Sequence, residues 1–131
     1  MIPYEFIYSF INTLLHLDSS IRWVGLTNRE GLILNEKYRE NLHPLLTEEE
    51  NEEYASNAIS RQRTRSKFEQ KIGKLIYAFG KYEKINRATI PINGNYFLLL
   101  SIDLDELNFD KILMDRVLPL INETKEQFVS V

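Results

Sequence analysis

Residues 75–104, LIYAFGKYEKINRATIPINGNYFLLLSIDL, are the stretch that decides the fold. Apolar and β-branched residues fill three runs of strand length, and Asn93-Gly94 separates the last two. Asn-Gly readily takes positive φ at both central positions of a type I′ hairpin turn. We therefore predict antiparallel strands over about 75–82, 85–92 and 95–104. Pro91 should lie at a strand end, a bulge or a non-bonded position, because proline cannot donate a ladder hydrogen bond.

The chain before this stretch supplies a helix and a hairpin. Residues 4 to about 18 carry apolar side chains at helical spacing, which predicts a first helix with a broad apolar stripe. Two apolar runs, 21–27 and 31–35, flank Asn28-Arg29-Glu30-Gly31, whose glycine supplies the left-handed position of a hairpin loop. Apolar residues on both faces of IRWVGL predict that this strand is covered on both sides.

Two further helices complete the pattern. Thr47-Glu48-Glu49-Glu50 has capping-box spacing, so we predict a second helix from there to about Lys71, ended by Gly73. A final helix is predicted from Phe109 to about Gln127, and Pro119 should kink it or end it early. Its apolar face should comprise Phe109, Ile112, Leu113, Val117, Leu120 and Ile121.

The composition is that of one ordinary globular domain, which we assign to residues 1–131. The 131 residues are 44% hydrophobic and 27% charged, and without cysteine there can be no disulfide, thiolate metal site or cysteine nucleophile. A formal charge of -3 gives no general attraction for nucleic acid or acidic lipid. The N-terminal MIPYEFIYSF lacks a basic region and contains Glu5, and no apolar run has the length of a membrane span. We expect no signal peptide, no membrane partner and a cytoplasmic location.

The order helix, hairpin, helix, three-stranded meander, helix resembles that of the roadblock/dynein light-chain superfamily, within the profilin-like group that includes longin and PAS-like folds. IRWVGLTNREGLIL resembles its first hairpin, with a turn ending in glycine, and GNYFLLLSIDLD resembles its last strand, which runs into an acidic helix cap. HPLLTEEENEE, RQRTRSKFEQKIG and KLIYAFGKYEKI are similar to a family of uncharacterised small archaeal proteins. The resemblance implies an α+β fold, α-ββ-α-βββ-α, with one antiparallel five-stranded sheet in the order 2-1-5-4-3 and three helices divided between its faces.

No catalytic constellation is recognisable in the chain. His16 and His43 have no metal-ligand spacing, the serines lack a GxSxG context, and each glycine is better explained by backbone geometry than by a phosphate cradle. An acidic cluster precedes the final helix, where we expect it to complement the helix dipole rather than bind a cation; its members are Asp103, Asp105, Glu106 and Asp110. We expect no enzymatic activity, no cofactor and no metal.

The most specific surface feature is a basic segment in the second helix. In a continuous helix, four cations at i, i+4, i+8 and i+11 form one positive ridge, with two more on the adjoining face. The ridge residues are Arg63, Lys67, Lys71 and Lys74, and the adjoining ones are Arg61 and Arg65. Three interpretations stay open: a solvated face, a site for an acidic protein partner, and a weak site for nucleic acid or phosphate.

For function, the resemblance implies a non-enzymatic interaction or scaffold module that forms a homodimer. The superfamily uses an exposed edge strand and the neighbouring helix to self-associate, here near 75–82 and 54–68. The candidate interface residues are Tyr54, Ala58, Leu75, Tyr77 and Phe79. This second helix is, however, more charged than the small-residue helix typical of roadblock dimers. The alternative is a PAS-like sensor with a small apolar ligand in a cavity lined by Trp23, Tyr77 and Phe97.

Overall fold

The computed structural model describes residues 2–128. Helix α1 (Tyr4–Leu15) leads to strands β1 (Ile21–Asn28) and β2 (Ile33–Tyr38), then to helices α2 (Glu48–Ser66) and α3 (Glu69–Ile72). Strands β3 (Ala78–Lys81), β4 (Ile85–Pro91) and β5 (Tyr96–Asp103) follow. The chain continues through α4 (Phe109–Ile112), a π-helical segment (Leu113–Val117), α5 (Leu118–Thr124) and a 3-10 turn (Lys125–Gln127).

The strands form one antiparallel five-stranded sheet in the order β2-β1-β5-β4-β3, so the predicted fold class and strand order are confirmed. Val24 lies opposite Leu100, and Ile90 lies opposite Leu98. All four side chains belong to one buried cluster, which shows that neighbouring strands present their apolar residues to the same face. Pro91 is the last residue of β4, one of the positions that proline can occupy in a sheet.

Different helices cover the two faces of the sheet, as the resemblance implied. The helix α1 and the C-terminal helices pack on one face, where Leu14 and Leu113 are fully buried. The other face is covered by α2, whose Ala55 and Ala58 pack with Trp23 of β1. Alanine has no atoms beyond Cβ, so the helix backbone can approach the indole closely. β1 is therefore buried on both sides, as its sequence predicted.

The first hairpin turns at Gly31, which has φ of 86°. Its N–H donates to the Asn28 carbonyl at 3.1 Å, and Asn28 Oδ1 accepts from the N–H groups of Glu30 and Leu32. A Cβ at position 31 would also lie 2.6 Å from the Cα atom of Ser56 in α2. Glycine is required here both by the turn, as predicted, and by the close approach of a helix, which only the fold reveals.

The predicted type I′ turn at Asn93-Gly94 is wrong, although the hairpin that it joins is present. Neither residue has positive φ, and the loop spans the four residues 92–95. Asn93 Oδ1 accepts from the N–H groups of Asn95 and Tyr96 at 2.8 and 3.1 Å, while Asn93 Nδ2 donates to the Phe128 carbonyl at 2.8 Å. The asparagine side chain, anchored to the C-terminal part of the chain, sets the loop geometry.

Helix α2 begins as predicted and ends earlier. Thr47 Oγ1 accepts from the Glu50 N–H, and the Glu50 carboxylate accepts from the Thr47 N–H, which confirms the capping box. The helix stops at Ser66, whose hydroxyl donates to the Arg63 carbonyl at 2.7 Å. A side chain that bonds a carbonyl three residues back competes with the helical ladder, so α2 closes before the predicted end near residue 71.

The C-terminal helix is interrupted by a π-helical segment just before Pro119. Proline lacks an N–H, and its ring would clash with the carbonyl of Asp115 in a regular α-helix. The wider turn of the π-helical segment accommodates Pro119. The predicted apolar face nevertheless packs inward, because Ile112, Val117 and Ile121 are buried. Among residues 2–128, no helix combines the length and the apolar character that a membrane crossing needs.

Candidate functional site

Strand β3 forms one edge of the sheet. It pairs with β4, Ala78 lying opposite Thr89, and within residues 2–128 no strand pairs with its other side. The strand is shorter than the predicted 75–82. Continuing the register would place Ile76 opposite Pro91, which has no N–H to donate, so pairing stops at Ala78. The outer side of β3 therefore presents unpaired backbone groups.

Three large apolar side chains lie exposed on the segment that leads into this edge. Phe68 follows α2 and is 54% exposed, Ile72 ends α3 and is 83% exposed, and Ile76 precedes β3 and is 54% exposed. They are spaced four residues apart in a stretch of nine. Single exposed apolar residues are ordinary, but several beside an open strand edge are typical of a protein-interaction surface.

Beside β3, an open cavity of about 270 Å³ lies between the edge strand and α2. Among the described residues, its lining contains three arginines and no aspartate or glutamate: Arg61, Arg65 and Arg87. Tyr54 and Tyr82 also line it, and their hydroxyl groups are 3.0 Å apart. Burial and this hydrogen bond raise the pKa of Tyr54 to about 12, so the hydroxyl stays protonated at neutral pH.

Arg87 is the residue of this site that the sequence did not reveal. Its side chain is buried between sheet and α2, with its guanidinium carbon 5.0 Å from the Trp23 ring and 4.0 Å from the Tyr54 ring. One amino group donates to Asn51 Oδ1 at 3.1 Å, and Nε has no partner among the described residues. Burial lowers the pKa of Arg87. No carboxylate of residues 2–128 forms an ion pair with it.

The predicted continuous basic ridge is wrong, because the helix that was to carry it is broken. Arg61, Arg63 and Arg65 lie on α2, Lys67 caps its end, Lys71 belongs to α3, and Lys74 follows Gly73 in the next loop. The structure instead divides the arginines between two cavities. Arg61 and Arg65 line the cavity beside β3, whereas Arg63 lies on another side of the helix.

Of the residues expected at a dimer interface, Tyr54 and Leu75 are half-buried near the β3 edge. Two guanidinium groups lie near the Tyr54 ring, that of Arg61 at 5.6 Å and that of Arg87 at 4.0 Å from its centre. Ala58 is 1% exposed and lies on the buried face of α2, so its side chain is not at the surface.

The other two expected interface residues, Tyr77 and Phe79, contact the C-terminal helices. The Tyr77 hydroxyl donates to the Asp110 carboxylate, which raises the pKa of Tyr77 to about 12. Phe79 stacks on Phe109, with ring centres 3.7 Å apart. Both side chains are half-buried and connect the start of β3 to α4. A partner at this edge would therefore contact chiefly the backbone of the strand.

A second and larger cavity, about 650 Å³, lies between the end of α2 and the loop of residues 92–95. Arg63, Lys74 and Lys125 line it together with one acid, Glu69. It is open to solvent and includes only Phe97 of the residues expected around a sensor ligand. Trp23 and Tyr77 belong to hydrophobic clusters on opposite faces of the sheet, so the three aromatic residues are not brought together.

Of the acidic cluster before the final helix, Asp110 lies in the first turn of α4 as predicted, whereas Asp103 has a different role. Asp103 accepts hydrogen bonds from Arg22 at 3.1 Å and from Arg39 at 2.8 and 3.1 Å. Burial alone would raise the pKa of Asp103, but these two guanidinium groups lower it overall. The α4 cap residue Asn108 makes no side-chain capping bond, and Glu106 accepts from its N–H at 2.9 Å. Asp103 thus ties β5 to the first hairpin.

The histidines take no part in a recognisable site. His16 Nδ1 lies 2.8 Å from the Asn12 carbonyl at the end of α1, and His43 is an exposed loop residue. In the part of the chain that the structure describes, no three histidine or carboxylate side chains converge in a way that could hold a metal ion.

No family model and no curated protein matches the chain, but solved structures match it over most of its length. The gliding protein MglB from Thermus thermophilus is similar with a TM-score of 0.74 and 16% identity, covering 95% of this chain and 92% of that chain. An MglB with tetrameric arrangement is similar with a TM-score of 0.75 and 17% identity, covering 97% of this chain and 93% of that chain. A roadblock/LC7 domain from Streptomyces avermitilis is similar with a TM-score of 0.71 and 9% identity, covering 93% of this chain and 97% of that chain.

At these identities the likeness concerns the fold. The comparisons give no support to the narrower resemblance to small archaeal proteins. The order of helices and strands, the β2-β1-β5-β4-β3 sheet and the superpositions agree with one another. The chain therefore has the roadblock/LC7 fold.

Proposed function

We propose that this chain is a non-enzymatic, cytoplasmic interaction module of the regulatory or scaffold kind, acting as one domain and forming a homodimer. The observation that carries the proposal is the unpaired edge of β3, preceded in the chain by the exposed side chains of Phe68, Ile72 and Ile76. A second copy would satisfy the free backbone groups about a two-fold axis and cover the apolar side chains. MglB, a protein of the same fold, occurs in a tetrameric arrangement.

The opposite edge of the sheet, β2, is a weaker candidate. Helix α1 lies beside it, and Lys37 Nζ donates to Asn12 Oδ1 at 2.6 Å while sitting 5.6 Å from the Tyr8 ring. Charged side chains on an edge strand protect it from pairing with another chain. β3 has its only lysine at its last position, Lys81. We therefore assign self-association to β3, with a buried area on the order of 1,200–2,000 Å².

The molar mass in solution tests this proposal, measured by light scattering after size exclusion over the micromolar range. We expect twice the mass of one chain for the wild type. Ile72→Asp with Ile76→Asp should give a monomer, because charges would be buried at the interface. Leu32→Asp with Leu34→Asp, at two exposed residues of the first hairpin, is the matched control and should leave the dimer intact. A wild-type monomer throughout this range contradicts the proposal.

An acidic protein segment is a second candidate partner, favoured by the cavity of about 650 Å³ in which Arg63, Lys74 and Lys125 outnumber Glu69. Arg63→Glu with Lys74→Glu should abolish capture of such a partner from a lysate, without changing the free energy of unfolding by more than about 0.5 kcal/mol, because both residues are exposed. Arg29→Glu, exposed in the first hairpin loop, is the control. Unchanged capture by the doubly substituted protein would leave these cations as a solvated face.

A further inference from the structure

The cavity beside β3 exists because the edge strand presents small residues to α2. In the register of β3 and β4, Gly80 lies opposite Arg87 and Ala78 lies opposite Thr89. Paired residues place their side chains on the same face of a sheet, and all four of these residues line the cavity. Because glycine and alanine fill little space, the volume of about 270 Å³ beside the long Arg87 side chain stays open. We call it the arginine cavity, after Arg61, Arg65 and Arg87 in its lining.

The three guanidinium groups of the arginine cavity have no carboxylate partner among residues 2–128. None of the ion pairs formed by these residues includes them, and the described lining holds no aspartate or glutamate. The groups of Arg61 and Arg87 both lie beside the ring of Tyr54, at 5.6 and 4.0 Å from its centre. Like charges this close together repel one another. An anion among them would offset that repulsion.

Arg87 is buried while most of its hydrogen-bond donors are unused. It is 6% exposed, and Asn51 Oδ1, at 3.1 Å, is the single acceptor of its guanidinium hydrogen bonds among the described residues. Its Nε is buried without a partner in the same part of the chain. A guanidinium group has five N–H donors, and a buried donor without an acceptor is costly. Stacking on Trp23 and Tyr54 offsets the charge in part but leaves these donors free for an anion.

Two tyrosine hydroxyl groups add an uncharged donor to the arginine cavity. The hydroxyl oxygens of Tyr54 and Tyr82 are 3.0 Å apart, so one hydroxyl donates to the other. The proton of the accepting hydroxyl has no acceptor of its own among the described residues. Because the pKa of Tyr54 is raised to about 12, its hydroxyl keeps its proton at neutral pH. The lining therefore combines three cations with an O–H group that can donate to a ligand.

We propose that the arginine cavity binds the phosphate group of a small molecule. A phosphate monoester carries a charge of about -1.5 to -2 near pH 7 and has three strong acceptor oxygens, which match the forked donors of arginine. A carboxylate has one charge and two oxygens, too few for three guanidinium groups. The volume of about 270 Å³ lies near the lower end of small-molecule sites, about 300 Å³, so the molecule that carries the phosphate is small.

This inference goes beyond the proposed self-association and does not depend on it. Strand pairing would use the backbone groups on the outer side of β3, whereas one chain supplies the whole described lining of the arginine cavity. A monomer should therefore bind phosphate. Titration at a protein concentration at which light scattering gives the mass of one chain checks this point, and a wild type that proves to be a monomer throughout leaves the phosphate site to be tested in the same way.

Isothermal titration calorimetry with inorganic phosphate tests the site, at about pH 8, above the second pKa of phosphate groups. The cavity variant carries Arg61→Gln with Arg65→Gln, which removes two charges and retains polar side chains. The matched control carries Lys67→Gln with Lys71→Gln, which removes the same charge from two exposed residues outside the described lining. Far-ultraviolet circular dichroism establishes that each variant is folded.

We expect the wild type to bind inorganic phosphate with a dissociation constant below about 1 mM. The cavity variant should bind it at least about tenfold more weakly, and the control should stay within about twofold of the wild type. Acetate should bind the wild type at least about tenfold more weakly than phosphate does. Tyr54→Phe with Tyr82→Phe, which keeps both rings and removes both hydroxyl groups, should weaken phosphate binding about three- to tenfold.

Two phosphate monoesters distinguish the source of the phosphate group. Tighter binding of glycerol phosphate or ribose phosphate than of inorganic phosphate would assign the site to a phosphorylated small molecule, and the reverse order would assign it to the free anion. Absence of binding of all three by the wild type up to about 10 mM overturns the proposal. Equal losses of affinity in the cavity variant and the control also overturn it, because general charge attraction would then explain the binding.

Discussion

The guanidinium carbon of Arg87 lies 4.0 Å from the centre of the Tyr54 ring, in a contact buried between the sheet and α2. A cation over an aromatic face that is shielded from water contributes about 2 kcal/mol. We predict that Tyr54→Leu lowers the free energy of unfolding by about that amount in urea titration at a fixed protein concentration. Tyr54→Phe, which keeps the ring and loses only the hydroxyl contact with Tyr82, should cost less than half as much. Equal losses of stability in the two variants would show that stacking of Arg87 on the Tyr54 ring does not stabilise the fold.

The N-cap of α2 gives a second stability prediction. Thr47→Ala removes the hydroxyl that accepts the Glu50 N–H at 3.1 Å and should cost about 1 kcal/mol. Thr64→Ala is the matched control, since Thr64 is exposed within the same helix and alanine is a better helix former. If urea titration gives both variants the wild-type stability, the capping box does not hold the helix start.

In the loop between β4 and β5, we expect substitutions at two neighbouring positions to have very different effects on stability. Asn93→Ala loses the side-chain bonds to Asn95, Tyr96 and Phe128 and should lower the free energy of unfolding by about 1–3 kcal/mol. Gly94 lacks positive φ, and a Cβ there would meet nothing within 4 Å, so Gly94→Ala should change stability by less than about 0.5 kcal/mol. If thermal unfolding shows a larger loss of stability for Gly94→Ala than for Asn93→Ala, the result would favour the type I′ turn instead.

The ion pairs of Asp103 predict a dependence on pH. Its pKa in the folded state lies below the ordinary value near 4, so the unfolded state binds more protons as the solution is acidified. The stabilisation by Arg22 and Arg39 is complete above about pH 5 and is lost as the pH falls through the folded-state pKa. Asp103→Asn should lower stability at neutral pH and flatten the acid limb of a stability–pH curve. Parallel curves for the two proteins would contradict this role.

Local sequence patterns were sufficient to predict most of the helices and strands, whereas the strand order of the sheet came from the resemblance to the roadblock superfamily. Gly31 of the first hairpin loop and the Thr47 capping box depend on residues close together in the chain, and both predictions are confirmed. The failures arise from distant contacts or from single side chains. The loop at Asn93 is set by a carbonyl 35 residues away, and the end of α2 by one serine hydroxyl.

The site was less accessible to sequence reasoning. The arginines of α2 were visible in the sequence as a basic segment, but their division between two cavities needed the fold. Arg87 looked like an ordinary polar strand residue, although an arginine in a strand flanked on both sides by other strands was a usable signal. Its partners Trp23, Asn51 and Tyr54 lie on two other elements, and only the packing of α2 on the sheet brings them together.

Amide hydrogen exchange at β3, followed by mass spectrometry at low and high protein concentration, tests the central claim most directly. We predict that peptides covering Ala78–Lys81 exchange more slowly at the higher concentration, because a second copy pairs with the open edge, while peptides from β2 do not change. Ile72→Asp with Ile76→Asp should abolish the difference. Exchange at β3 that is independent of concentration, or slowing confined to β2, would contradict self-association through β3.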